Sequence, residues 1–101
     1  EEFTNLLQEN YQISRNVNFY AQKLNISSKH LNSLCRKFLN ISAKNTIDNY
    51  TILEIKRELI SNLPIKEIAY KFGFIETTNF VKYFKKQTNI SPSKFKEQFG
   101  I

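Results

Sequence analysis

Apolar residues recur along this chain with the spacing of α-helices, and short polar breaks separate the runs. Side chains three and four positions apart share one face of a helix, so each run indicates an amphipathic helix. The expected helices lie at about 2–12, 18–24, 28–39, 43–61, 64–73, 77–88 and 92–99. The residues expected to point inward on the third helix are Leu31, Leu34, Cys35 and Phe38. On the second helix, either Phe19 or Tyr20 is expected to do so.

Residues that start and stop helices support this division. Ser27 or Ser28 can cap the third helix, and Ser91 followed by Pro92 is a strong start signal for the seventh. Asn25 follows the second helix, and Gly73 ends the fifth. Both residue types tolerate the left-handed conformation that ends a helix. The chain is therefore predicted to be all-α, with seven helices joined by short loops.

The second part of the chain repeats the first. Residues 17–26 match residues 65–74, with Ala21 opposite Ala69, and residues 31–42 match residues 80–91, with Ser42 opposite Ser91. Each copy is a short helix, a tight turn and a second helix with a polar face, which is a helix-turn-helix. The predicted organisation is one domain over 1–101, with helix-turn-helix subdomains at about 1–42 and 62–101 and a linker helix at 43–61.

Positive charge concentrates on the two repeats. The net charge is +6, yet residues 10–47 and 77–96 contain no acidic residue, whereas 48–76 carries five acids and four bases. One explanation is an ordinary solvated surface. Because the depletion of acids recurs in both copies, we favour a polyanionic partner, namely double-stranded DNA.

Several classes of function find no support in the residues. One Cys and one His cannot complete a zinc site, no Ser–His–acid set can be argued, and no Gly-rich phosphate loop exists. We therefore expect no enzyme activity, no cofactor and no metal.

The lone cysteine fits a reducing compartment, so a cytoplasmic location is expected. No apolar run approaches the ~18 residues of a membrane span. The acidic start does not fit the pattern of a signal peptide. The start also lacks Met, so we expect a piece of a longer protein.

Two helix faces are candidate DNA-reading surfaces. Asn can pair with adenine and Arg with guanine, each through two hydrogen bonds. Val81 either contacts a thymine methyl group or packs against the fifth helix. Cys35 corresponds to Phe84 in the repeat, so we expect a buried thiol rather than a reactive one. The candidate DNA-binding residues are Ser28, Lys29, His30, Asn32, Ser33, Arg36 and Lys37 on the third helix, and Thr77, Thr78, Val81, Lys82 and Lys85 on the sixth.

The repeat resembles the DNA-binding domain of AraC-type bacterial transcriptional regulators. The resemblance runs from about residue 16 to 100, and its most specific part is 65–74, 80–86 and 89–96. It implies seven helices, with the third and sixth in the major groove, and a larger regulator with an N-terminal sensing or dimerising portion. The departures from the family pattern are Asn40 and Asn89 in place of Gly, Thr46 in place of an aromatic residue, and Thr51 in place of Arg.

The long fourth helix suggests how two motifs could serve one site. Its 19 expected residues would span roughly 28 Å at ~1.5 Å per residue, and major-groove segments on one side of B-DNA recur at ~34 Å. We therefore expect two recognition helices to bind adjacent major-groove segments in the regulation of transcription. The alternative is a protein-interaction module that contacts RNA polymerase or a regulatory partner. Its candidate acidic surface is Glu54, Glu58, Glu67 and Glu76.

Overall fold

The computed structural model describes residues 2–100 and folds them into seven α-helices. Within this range there is no β-strand, so the all-α prediction with seven helices is confirmed. Among the same residues, no helix combines the length and the apolarity that crossing a bilayer takes. The helices are α1 (Glu2–Asn10), α2 (Val17–Lys23), α3 (Ser28–Leu39), α4 (Ala43–Leu59), α5 (Ile65–Lys71), α6 (Thr77–Thr88) and α7 (Pro92–Gln98).

The chain forms two compact units that divide between Thr51 and Ile52, inside α4. The first unit holds α1, α2, α3 and the first half of α4. The second unit holds the rest of α4 with α5, α6 and α7. Each unit therefore contains one complete helix-turn-helix, formed by α2 and α3 or by α5 and α6.

A cluster of buried apolar side chains supports the helix-turn-helix of the first unit. Tyr20 is fully buried at its centre, while Phe19 is half-buried, which settles the choice between the two. The Tyr20 ring meets Phe3 edge-on, with centroids 5.8 Å apart, and its hydroxyl donates a hydrogen bond to the Ser14 carbonyl at 2.7 Å. The cluster comprises Phe3, Leu7, Tyr20, Ala21, Leu31, Cys35, Ala43 and Ile47.

Aromatic rings fill the second unit. Phe80 and Phe84 of α6 are fully buried. Phe80 meets Phe74 edge-on at 5.5 Å, and Phe84 meets Phe95 of α7 in the same way at 5.8 Å. These ring contacts fix the position of α6 within the second unit, because edge-to-face pairs add to the free energy gained by burial.

Local hydrogen bonding marks the helix ends, which lie within two residues of the predicted ones; the fourth helix, expected to reach residue 61, ends at Leu59. The Ser27 hydroxyl accepts from the His30 N–H, and Ser91 accepts from Lys94 in the same way. Asn25, Asn40 and Asn89 adopt positive φ angles of 60°, 65° and 71°. Asparagine thus serves sterically in the two places where the resembled family usually has glycine.

Two residues of α3 do not point inward as expected. Leu34 is 37% exposed and Phe38 is 67% exposed, whereas Leu31 and Cys35 are buried. The apolar arc on α3 is wider than the surface that covers it. The short Cys35 side chain lies where the second unit has Phe84, so a groove remains beside α3 in place of a closed contact.

Candidate nucleic-acid interface

The two helix-turn-helix motifs share one backbone design. In the first, the N–H of Ile26 donates to the Ala21 carbonyl at 3.0 Å. In the second, the N–H of Phe74 donates to the Ala69 carbonyl at 2.9 Å. The residue just before each donor, Asn25 or Gly73, has a positive φ angle. The sequence repeat is therefore also a repeat of turn geometry, and it orients α3 and α6 alike within their own units.

The exposed face of α3 carries most of the predicted DNA-binding side chains. Lys29, Ser33 and Arg36 are exposed and share one side of the helix. His30 and Lys37 are exposed beside them. The Lys37 ammonium lies 5.3 Å from the centre of the Phe38 ring, so it leans towards the end of the helix.

Two predicted contact residues of α3 already serve the fold. The Ser28 hydroxyl donates to Oδ1 of Asn18, which ties the start of α3 to α2. Oδ1 of Asn32 accepts from the N–H of Ala43 at 3.0 Å, so this half-buried amide caps the first turn of α4. Both bonds hold α3 in place, and the Nδ2 group of Asn32 keeps its capacity to donate.

The corresponding face of α6 is built from Thr78, Lys82 and Lys85, which are exposed and lie at positions i, i+4 and i+7. Thr77 and Val81 are half-buried along one edge of that face. Part of the Val81 side chain thus packs within the unit, and part remains accessible at the edge. The five predicted residues of α6 form one continuous strip.

Three basic side chains outside these two faces form ion pairs, whereas, among the described residues, those on the faces do not. Lys44 pairs with the buried carboxylate of Asp48 at 2.8 Å. In the second unit, Arg57 pairs with Glu54 at 2.7 Å and Lys71 with Glu58 at 2.9 Å. In the described part of the chain, no carboxylate pairs with Lys29, Arg36, Lys82 or Lys85. Their charges are therefore directed at solvent, where a polyanion can replace water and counterions.

The first motif contains a buried phenol, that of Tyr20 in α2. Burial raises the pKa of Tyr20 to about 12, and the positive charge of Arg15 acts in the opposite direction. The phenol stays neutral at physiological pH and keeps its hydrogen bond to Ser14. Tyr20 thus contributes a fixed, uncharged anchor for α2 rather than a titrating group.

The start of α6 has a feature that the residue pattern did not reveal. Glu76 occupies the N-cap position, yet its side chain makes no capping hydrogen bond, unlike Ser27 at the start of α3. The first amide groups of α6 therefore have no side-chain acceptor from the cap. Glutamate is not among the preferred N-cap residues, which is the signal that could have indicated this.

Known proteins match both the sequence and the fold. A family model described as a helix-turn-helix domain matches residues 20–98. The Msm operon regulatory protein of Streptococcus mutans is 36% identical over 97 residues, which cover 92% of this chain and 34% of that protein. The chain spans about a third of the length of the curated relatives first matched.

Solved structures of known proteins also match the fold of this chain. The C-terminal domain of the two-component response regulator yesN from Fusobacterium nucleatum superposes with a TM-score of 0.81 at 25% identity, covering 93% of each chain. A transcriptional regulator with an AraC-type DNA-binding domain from Chromobacterium violaceum has the same fold, with a TM-score of 0.79 at 18% identity, over 96% of this chain and 88% of that one. The chain therefore belongs to the AraC-type helix-turn-helix family of bacterial transcription regulators, a family of sequence-specific DNA-binding domains and not of enzymes.

Proposed function

We propose that this chain binds two adjacent major-groove segments of one DNA site, with α3 in one segment and α6 in the other. The observation that carries the proposal is the duplicated face. Each motif presents a 12-residue second helix whose exposed lysines or arginine pair with no carboxylate among the described residues. A helix of this kind fits the major groove, where base edges present distinct donors and acceptors.

The proposed contacts divide into two kinds. Arg36, Asn32 and Thr78 carry hydrogen-bond donors that can bind the acceptor atoms of base edges. Lys29, Lys82 and Lys85 suit phosphate oxygens, since an ammonium group acts as a point charge without a fixed geometry. Ser28 and Asn32 also hold α3, so they act in positioning as well as in contact.

Selection of bound sequences from a random duplex pool tests this function. We expect an enriched site with two conserved blocks. Replacing Arg36 with Ala should relax one block, and replacing Thr78 with Ala should relax the other. The affinity for unselected duplex should fall steeply with added salt, because phosphate contacts release counterions. A single conserved block, or binding that ignores salt, would contradict the proposal.

The larger protein belongs to the same proposal. Since the matched relatives are about three times as long, we propose that this chain is the DNA-binding part of a longer cytoplasmic regulator with a sensing or dimerising portion. Contact with RNA polymerase would use exposed acids. Glu54 and Glu58 pair with Arg57 and Lys71, so Glu67 and Glu76 remain the accessible candidates.

A further inference from the structure

An apolar groove of about 450 Å³ lies on the first unit beside the last two turns of α3. Cys35 is buried in its floor. Phe38 and Leu39 form an exposed rim, with exposed fractions of 67% and 44%. The opposite wall includes Leu24 and Ile26, from the end of α2 and the turn that follows it. The groove is thus continuous with the motif that carries the first DNA-binding face.

The groove and the DNA-binding face occupy different sides of α3. At ~100° per residue, Leu34 lies about 140° and Phe38 about 180° around the helix from Lys29. A helix whose Lys29 side faces a duplex therefore keeps the Phe38 side directed elsewhere. Occupation of the groove and binding of DNA are then compatible in one molecule.

The internal repeat provides a control for what the fold itself requires. Phe38 and Leu39 correspond to Gln87 and Thr88 of the second motif, which has the same helix with polar residues there. An apolar rim is therefore not a condition for forming this helix. The Phe38–Leu39 rim is thus a feature of the first motif's sequence and not a requirement of the fold, and an exposed apolar patch with a polar surround can mark a protein-interaction site.

Charge at the rim selects the kind of occupant. The Lys37 ammonium lies over the Phe38 ring, at 5.3 Å from its centre, and residues 10–47 contain no acid. Among the described residues that line the groove, Glu2 of α1 is the one that is acidic. An approaching segment therefore meets positive charge along the α3 edge and negative charge at the α1 wall.

We propose that this groove docks an acidic amphipathic helix of a partner protein. The apolar side chains of that helix, spaced at i, i+3 or i+4 and i+7, fill the space between Leu24 and Phe38. Its carboxylates lie along the edge formed by Lys37, and its end nearest Glu2 carries no acid. The partner binds while α3 contacts DNA, so this surface adds a protein contact to the DNA-binding function.

Two synthetic helical peptides with identical apolar positions test the inference, one with glutamates on its polar face and one with lysines. Isothermal titration against the 101-residue chain should show the acidic peptide binding at least about tenfold more tightly than the basic one. Phe38→Gln and Leu39→Thr, which install the residues of the second motif, should each weaken binding of the acidic peptide about tenfold, which corresponds to about 1.4 kcal/mol.

A matched control comes from the other motif. Tyr70 is 80% exposed and corresponds to Gln22, so Tyr70→Gln likewise replaces an exposed aromatic residue with the residue of the other motif. This variant should bind the acidic peptide like the parent. Phe38→Gln should also keep the circular dichroism, melting temperature and DNA affinity of the parent, which separates this inference from the proposed DNA function.

Three results would overturn the proposal. Equal affinity for the two peptides, or none for either, would show that charge does not select the occupant. Concentration-dependent self-association that Phe38→Gln abolishes would assign the groove to a second copy of the chain. A loss of DNA affinity in Phe38→Gln as large as in Arg36→Ala would assign the rim to the DNA interface.

Discussion

Oδ1 of Asn32 accepts a hydrogen bond from the N–H of Ala43 at 3.0 Å, so a residue expected to contact DNA also caps the next helix. This N–H belongs to the first turn of α4, where no carbonyl within the helix can accept it. The Ser42 hydroxyl accepts from Asn45 in the same turn, at 3.1 Å. The start of α4 is therefore held from two sides, and one of them is α3.

Replacing Asn32 should separate its two tasks. Asn32→Ala removes the cap and should lower the free energy of unfolding by about 1 kcal/mol, the usual cost of losing such a bond. Asn32→Asp keeps an acceptor at a helix N-terminus, where negative charge is favourable, and should retain most of the stability. It removes the amide donor and adds a charge that DNA repels. Urea unfolding and DNA titration should therefore rank the two variants in opposite order.

Side chains that are proposed to contact DNA should matter far more for DNA affinity than exposed lysines and arginines elsewhere. Arg36→Ala and Lys82→Ala are each expected to weaken binding to a selected site by roughly 1–3 kcal/mol. Arg57→Ala is the matched control, since Arg57 is exposed but pairs with Glu54 on α4. Gel-shift titration at fixed salt measures all three. Two variants that bind like the Arg57 control would contradict the use of both helices.

The order of the helices could be predicted because local signals mark their ends. Ser27, Asn40, Ser91 and Asn89 act through bonds or backbone angles that span only a few residues, and such effects are visible in a sequence. The exposure of Phe38 could not be predicted in this way. The exposure of Phe38 depends on how far other helices cover the apolar side of α3. It also depends on the small size of Cys35 in the groove floor.

The structural duties of the candidate site residues were also beyond sequence reasoning. Asn18 and Ser28 are ten positions apart, and Asn32 and Ala43 are eleven apart. Side-chain bonds across such distances depend on how α2, α3 and α4 pack. A polar residue on an exposed helix face satisfies both a binding role and a capping role, and the pattern alone does not distinguish them.

Alkaline pH should weaken the first unit through Tyr20. Its pKa is 10.0 when unperturbed and about 12 in the folded chain, so the folded state holds the phenolic proton more tightly. This contribution is fully present below pH 10 and is lost as the pH rises towards 12. Tyr20→Phe should cost about 1 kcal/mol at pH 7 for its hydrogen bond to Ser14.

The difference in unfolding free energy between parent and Tyr20→Phe should decrease as the pH rises and should reach zero at about pH 11, because the variant has no phenol to ionise. Denaturant unfolding at a series of pH values measures the difference between parent and variant. Tyr70→Phe is the control, because it removes a phenol that the fold leaves exposed. A Tyr20→Phe cost that stays constant over this pH range would refute the role assigned to burial.

Cys35 should behave as a small core residue. It is 3% exposed, so a thiol reagent should label it slowly in the folded chain and quickly in denaturant. Cys35→Ser should destabilise the chain, because it costs more to take a hydroxyl out of water than to bury a thiol. Rapid labelling of the native chain, with loss of DNA binding, would instead indicate a reactive thiol.

The continuity of α4 through the boundary of the two units leads to a test of how the motifs cooperate. We predict that α4 acts as a rigid connector, so that its helical phase matters for binding a full-length site. Inserting two alanines between Thr51 and Ile52 would turn one unit by about 200° relative to the other, at ~100° per residue. One recognition helix would then face away from the duplex when the other is bound. The protected region in a footprint should shrink to about half its length.

Inserting four alanines at the same place provides the control for phase. The added turn is about 400°, which leaves only about 40° of net rotation, while the added length is roughly 6 Å. If phase decides, this longer insertion should retain more of the second contact than the shorter one. Circular dichroism should first establish that both variants keep their helices. Full protection by the two-residue variant, at the affinity of the parent, would mean that the motifs are flexibly joined and that α4 does not set their phase.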